Sequence, residues 1–177
     1  MAKIGCFVLI ETIKEIIKSK KIPLYDLIFT FSAQEEIGCK GAIACVKKYK
    51  PDLFLETDVT FASDYLDDEL EKQVGKCHLG KGVVIYRGCG LDYKGIRLLE
   101  NIAKKHKIKF QTQSSDPNTP YTSEHILTEN VGTKILTLAL PLRNMHCPIE
   151  IINMKDAVYC INLIKAFCLS GGLSRIL

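Results

Sequence analysis

No Cys-x-x-Cys pair occurs among the eight cysteines of this 177-residue chain, so neither a zinc knuckle nor a thioredoxin-type redox site has the spacing it needs. No apolar run approaches the roughly 20 residues of a membrane-spanning helix. The first such run is broken by Glu11, Lys14 and Glu15, before any small-residue cleavage site, which argues against a secretory leader. One-sided charge is missing as well. Lys plus Arg number 24 against 20 Asp plus Glu, a net charge of +4 spread along the sequence, and no basic stripe marks a nucleic-acid footprint. Internal repeats and low-complexity stretches are absent. What is there, 47% hydrophobic and 25% charged residues, suits one globular domain over residues 1–177 and excludes disorder, collagen and a coiled-coil rod. The cysteines lie mostly inside apolar periodic segments, which reads as buried free thiols in a reducing cytoplasm.

Periodicity then predicts the elements. Residues 4–18 form an amphipathic helix with Cys6, Leu9, Ile10, Ile13 and Ile17 on its apolar face. Residues 27–31 are β-prone and continuously apolar, as in a strand buried on both faces. A helix follows over 42–49, then a strand over 53–55 ending in Glu56, Thr57 and Asp58. The segment from 62 to 82 is an acidic surface excursion. Strands over 83–86, 108–112 and 133–140, the last stopped by Pro141, alternate with helices over 93–105 and 123–129. Residues 149–153 are extended, and a helix over 155–169 follows. This alternation implies a layered α/β/α fold around a mixed, largely parallel sheet.

In such folds ligands collect beyond the carboxyl ends of the strands. The polar residues expected to converge there are Glu35, Glu36, Asp58 and His146. Carboxylates with an imidazole suit Zn, Co or Mn. If Glu36 holds a metal, Glu35 is left to take a proton from a metal-bound water. On the residues alone, the Glu pair reads more readily as an acidic turn capping a helix, Asp58 equally as an exposed turn carboxylate, and His146 also as a packed, hydrogen-bonded side chain. His78, His106 and His125 show no ligand spacing. The Gly80, Lys81, Gly82 turn is no phosphate cradle, because it precedes a strand, whereas a P-loop follows one and opens a helix.

The stretch Ala33, Gln34, Glu35, Glu36, Ile37, Gly38, with Gly41 and Ala42 beyond it, resembles the Gln-Glu-Glu-Val-Gly-x-x-Gly-Ala motif of the tetrahedral, or glutamyl, aminopeptidases, metallopeptidases often labelled endoglucanase M. Three further stretches agree: Thr57 to Thr60, Leu79 to Gly82, and Pro141 to Glu150, the last similar to Pro-x-Arg-Tyr-x-His-Ser-Pro-x-Glu with Asn144 in place of Tyr. The resemblance runs through essentially the whole chain. It implies that Glu35 is the general base, that Glu36 and His146 are ligands of one metal, and that Asp58 is a ligand of the other. The centre would use Zn or Co to remove amino-terminal residues from peptides.

The family's domain also has an earlier half that supplies a further histidine and an aspartate bridging both metals. That half carries an inserted dimerisation domain too. The resemblance here covers the carboxy-terminal half of the catalytic domain, with Met1 about where the bridging aspartate is expected. The expectation is a cytoplasmic, zinc-aminopeptidase-like chain lacking the amino-terminal part. Its activity is impaired unless an upstream polypeptide supplies those ligands, and it self-associates as a homo-oligomer. The alternative is a non-catalytic oligomerising module that retains the peptidase core. Membrane and nucleic-acid partners are not expected. A true endoglucanase is disfavoured, because glycoside hydrolysis needs two carboxyls roughly 5 to 10 Å apart across a sugar bond.

Overall fold

A computed structural model describes residues 3–65, 71–72, 75–88, 90–114, 122–129 and 132–176. Acidic residues 67–69 of the predicted excursion, and Cys89, lie outside these. The sheet is built on β4 (Lys134–Arg143), which pairs in parallel with β1 (Leu53–Phe61) over its whole length, from Leu53 opposite Lys134 to Phe61 opposite Leu142. On its other side β4 runs antiparallel to β2 (Val83–Arg87), and β2 is parallel to β3 (Phe110–Ser114). The order is β1-β4-β2-β3, with the short β5 (Ile151–Ile152) antiparallel to the end of β4. The mixed α/β sheet expected from the alternation is therefore present. Ile135 to Leu142 and Val83 to Tyr86 are buried without interruption, the mark of strands covered on both faces.

Alternation along β4 assigns the layers. Leu136, Leu138, Leu140 and Leu142 share one core with residues of α1 (Lys3–Lys18), α3 (Tyr93–Lys105) and α5 (Met154–Cys168). Ile135 instead meets Ala42 and Val46 of α2 (Lys40–Tyr49) and Ile126 of α4 (Thr122–Glu129). Two helix starts carry side-chain caps: Asp92 accepts the Gly95 N–H at 2.6 Å, and Asn153 accepts that of Lys155 at 3.0 Å. Each satisfies a donor the helix cannot satisfy itself.

Four expectations need correction. The buried stripe of α1 is Gly5, Val8, Thr12 and Ile16, while Ile10 and Ile17 are exposed. Apolar residues cover more than half the circumference of the helix, opposite a charged side formed by Glu11, Lys14, Glu15 and Lys18, so packing selects the face within that wide apolar arc. Gly5 lies so close to β1 that a Cβ there would stand 3.1 Å from the Thr57 carbonyl oxygen. Residues 27–31 form no ladder. Leu27 and Phe29 pack on the core, but Ile28 is 54% and Phe31 51% exposed. Propensity made the segment extended; a strand also needs a backbone partner, and β1 pairs only with β4 among the described residues.

Asp58 lies inside β1, not after it, because the pairing with β4 continues to Phe61. Likewise β4 passes through Pro141. The bridges to β2 are at Leu138 and Ala139 and those to β5 at Leu142 and Arg143, so the missing N–H of Pro141 falls between two partners and interrupts neither ladder.

No disulfide joins the described cysteines, of which Cys39, Cys77, Cys160 and Cys168 are buried and Cys147 is exposed. Burial pushes the Cys160 thiol up to about 12. No helix among the described residues is long and apolar enough to cross a membrane.

Candidate active site

The first site segment is a tight turn that feeds α2. Gln34 and Cys39 hold left-handed backbone at φ 62° and 53°, and Gly38 at φ 99°. Between them Glu35–Ile37 makes one turn of 3-10 helix, closed by the N–H groups of Gly38 and Cys39 on the Glu35 carbonyl at 3.2 and 2.9 Å. The Gly41 N–H then returns to the Ala33 carbonyl at 3.1 Å. A Cβ on Gly41 would stand 2.5 Å from that oxygen, a clash with backbone that no rotamer relieves. That close approach is the physical content of the glycine spacing after the two glutamates. The turn leaves Glu35 half-buried and Glu36 exposed.

The second segment is the middle of β1, which carries Asp58. Its Oδ1 accepts the N–H of Val59 at 2.8 Å. The third is the turn after β4, which brings His146 Nε2 to 3.7 Å from Glu36 Oε2, both side chains being 62% exposed.

Electrostatics ties the remaining groups together. Burial above all, then the negative charges of Asp58 and Glu36, raise the Glu35 carboxyl above the usual carboxylate range, while His146 pulls the other way. Asp58 is also raised, first by burial and then by Glu36, against the pull of the Val59 N–H. A carboxyl raised in this way is a readier proton acceptor than an ordinary glutamate, which suits Glu35 to the role of a base.

The raised Asp58 has a consequence for stability. A carboxyl whose folded pKa exceeds its unfolded one contributes stability below the unfolded value, here near 3.8, and loses it as pH rises through the folded value. At neutral pH ionised Asp58 therefore costs stability. Asp58→Asn, which cannot ionise and can still accept the Val59 N–H, is expected to melt higher than the parent at pH 7. The gap should close as pH falls toward 4. Thermal melts at both pH values check this, and a variant less stable at pH 7 would refute it.

An oxygen donor from Glu36 and a nitrogen donor from His146 suit zinc or cobalt, and their approach fits two ligands of one ion. A catalytic zinc takes three protein ligands. Among the described residues no three His, Cys, Asp or Glu side chains come together closely enough to hold a metal ion. The fit is partial, and the described residues do not complete a two-metal centre.

Sequence reasoning missed the supports of this site. Arg143 and Glu150 stood in the quoted 141–150 motif without a role. Asp64 lay in an excursion read as solvent-facing, yet Arg143 Nε donates to it at 2.9 Å. Asp156 looked like an ordinary helix residue but is buried and accepts the N–H groups of Gly80 and Gly82 at 2.7 and 2.8 Å. No local sequence signal announces partners 74 and 76 residues away.

The chain is thus a layered α/β fold that carries a glutamate pair, a strand aspartate and a loop histidine. The model of the M42 glutamyl aminopeptidase family matches residues 2–163, and the chain belongs to that family. It is 31% identical over 143 residues to lysyl aminopeptidase of Pyrococcus furiosus, an alignment covering 80% of this chain and 40% of that protein. A crystal structure of a TET aminopeptidase from a marine sediment archaeon of the Thaumarchaeota superposes with a TM-score of 0.88 at 21% identity, over 98% of this chain and 48% of the other. The Pyrococcus horikoshii TET1 peptidase, described as able to assemble into a tetrahedron or a large octahedral shell, gives a TM-score of 0.76 at 24% identity over 95% and 48%. The chain thus spans about half the length of the relatives it matches.

Proposed function

We propose that residues 1–177 form one domain carrying the general base and part of the two-metal centre of an aminopeptidase that removes amino-terminal residues from peptides. Glu35 is the base, Glu36 and His146 are ligands of one divalent ion, zinc or cobalt, and Asp58 is a ligand of the second. The ion, when bound, polarises the scissile carbonyl and acidifies its water. Glu35 receives the proton. The observation that carries this reading is the approach of His146 to Glu36 at 3.7 Å, beside a Glu35 carboxyl raised by burial and by its acidic neighbours. A further polypeptide segment, equivalent to the rest of the relatives' length, supplies the missing ligands, and the chain acts in the cytoplasm as part of a homo-oligomer. The assembly reported for the Pyrococcus horikoshii peptidase supports that last point.

The test is calorimetric titration of zinc and cobalt into the chain and into Glu36→Ala and His146→Ala. Binding by the parent, lost in both variants, is expected. Affinity unchanged in either variant would remove that residue from the ligand set. A second reading, a non-catalytic oligomerising module, draws on the absence of three converging ligand side chains among the described residues. It predicts that supplying the complementary segment restores neither tight metal binding nor peptide hydrolysis.

A further inference from the structure

Between β4 and β5 the chain turns with two non-glycine residues in the left-handed region, Asn144 at φ 58° and His146 at φ 64°. That conformation costs an L residue energy, so contacts must hold it. Glu150 Oε1 accepts the backbone N–H of His146 at 3.1 Å. The Tyr65 hydroxyl accepts that of Asn144 at 2.9 Å. The Asn144 carbonyl accepts the Cys147 N–H at 3.1 Å, which closes the turn around Met145, itself packed on the core.

Tyr65 is in turn fixed. The Arg143 guanidinium lies 5.4 Å from its ring centroid, a distance at which a cation is attracted to the ring face. Asp64, which binds Arg143, uses its other oxygen to accept the Leu79 N–H at 3.0 Å. The next residues, Gly80 and Gly82, are anchored to Asp156. The 79–82 turn, a motif with no role assigned above, is thus the footing on which Tyr65 stands.

We propose that Glu150 and Tyr65 are positioning residues for His146, clamping the backbone on either side of Met145 so that the imidazole already faces Glu36 when an ion arrives. The inference rests on the reading of His146 as a ligand. Glu150 acts through the His146 backbone and leaves Nε2 to Glu36. An ionised carboxylate makes the stronger acceptor for that N–H, but an amide oxygen in the same place also accepts.

The experiment uses the isotope-labelled chain and its Glu150→Ala, Glu150→Gln and Tyr65→Phe variants, with two readouts: hydrogen exchange at the His146 and Asn144 amides, and cobalt affinity with the visible absorption of the bound ion. Glu150→Ala is expected to speed exchange at His146, weaken cobalt binding about tenfold or more and alter the absorption bands. Glu150→Gln should restore all three. Tyr65→Phe should speed exchange at Asn144 and weaken cobalt binding less. Unchanged His146 exchange in Glu150→Ala, or a glutamine variant no better than the alanine one, overturns the proposal, with amides elsewhere reporting that each variant is folded. If the parent binds no cobalt while exchange at His146 still follows residue 150, the ligand role of His146 falls and the clamp on its backbone stands.

Discussion

Glu35→Gln is expected to lower hydrolysis of an aminoacyl p-nitroanilide by about 10²–10⁴-fold, the usual worth of a positioned acid or base, in the zinc- or cobalt-loaded chain supplied with the segment that completes its site. Glutamine preserves size and the backbone of the turn, so the loss isolates proton acceptance. Metal affinity should not change, because Glu36 and His146 are the pair that meet at 3.7 Å. The pH profile adds a second signature. A base must be ionised to act, and burial together with Asp58 and Glu36 raises the Glu35 carboxyl, so turnover should fall on the acid side at a pH above that of an ordinary glutamate. A Glu35→Gln protein that keeps parental turnover would remove Glu35 from the chemistry. A parallel loss of metal would make it a ligand instead.

The second large effect concerns Asp156. Its two carboxylate oxygens accept the N–H groups of Gly80 and Gly82 at 2.7 and 2.8 Å from a position only 1% exposed. Burial raises its carboxyl while the two N–H bonds pull it back. Asp156→Ala leaves both donors without an acceptor. At about 1–3 kcal/mol for each unsatisfied group, the expected loss is about 2–6 kcal/mol, a large part of the stability of an ordinary domain. A further bond holds the turn from the other side, Gln111 Nε2 donating to the Gly82 carbonyl at 3.0 Å. Gly82 sits at φ 122°, and any Cβ there would come within 2.3 Å of the Lys109 carbonyl oxygen, so only glycine fits at that point of the turn. A urea unfolding midpoint unchanged in Asp156→Ala, at unchanged slope, would sink this account. Asp156→Asn, which retains one acceptor oxygen, should fall between the two.

Much of the architecture could be read from period and punctuation. The continuous apolar runs that became β2 and β4, and the 3.6-residue pattern of α3 and α5, are local signals fixed by burial on two faces or one. The paired glutamates and the glycines after them were legible for a similar reason: the Gly41 contact with Ala33 spans eight residues, and its constraint is written within one short motif. What could not be read depended on distant partners. Residues 27–31 carry a strand's composition, but no composition states whether a neighbouring backbone is present. The face of α1 was decided by how close Gly5 could approach β1. Asp64, Arg143 and Tyr65 support the histidine turn across separations of 79 residues, where no periodicity can reveal them.

The order of assembly also has a cost in time. Lys165 of α5 reaches Glu15 of α1 at 2.8 Å across 150 residues of chain, and Thr137 of β4 reaches Glu56 of β1 across 81. On a ribosome adding roughly 5–20 residues per second, α1 therefore waits about 8–30 s for the helix that covers it, and β1 waits about 4–16 s for its only described neighbour. Pairings so far apart in sequence also form slowly once both members exist. During that interval the buried face of α1 and the open β1 backbone are bare, the condition in which a partly made chain is most open to wrong pairings.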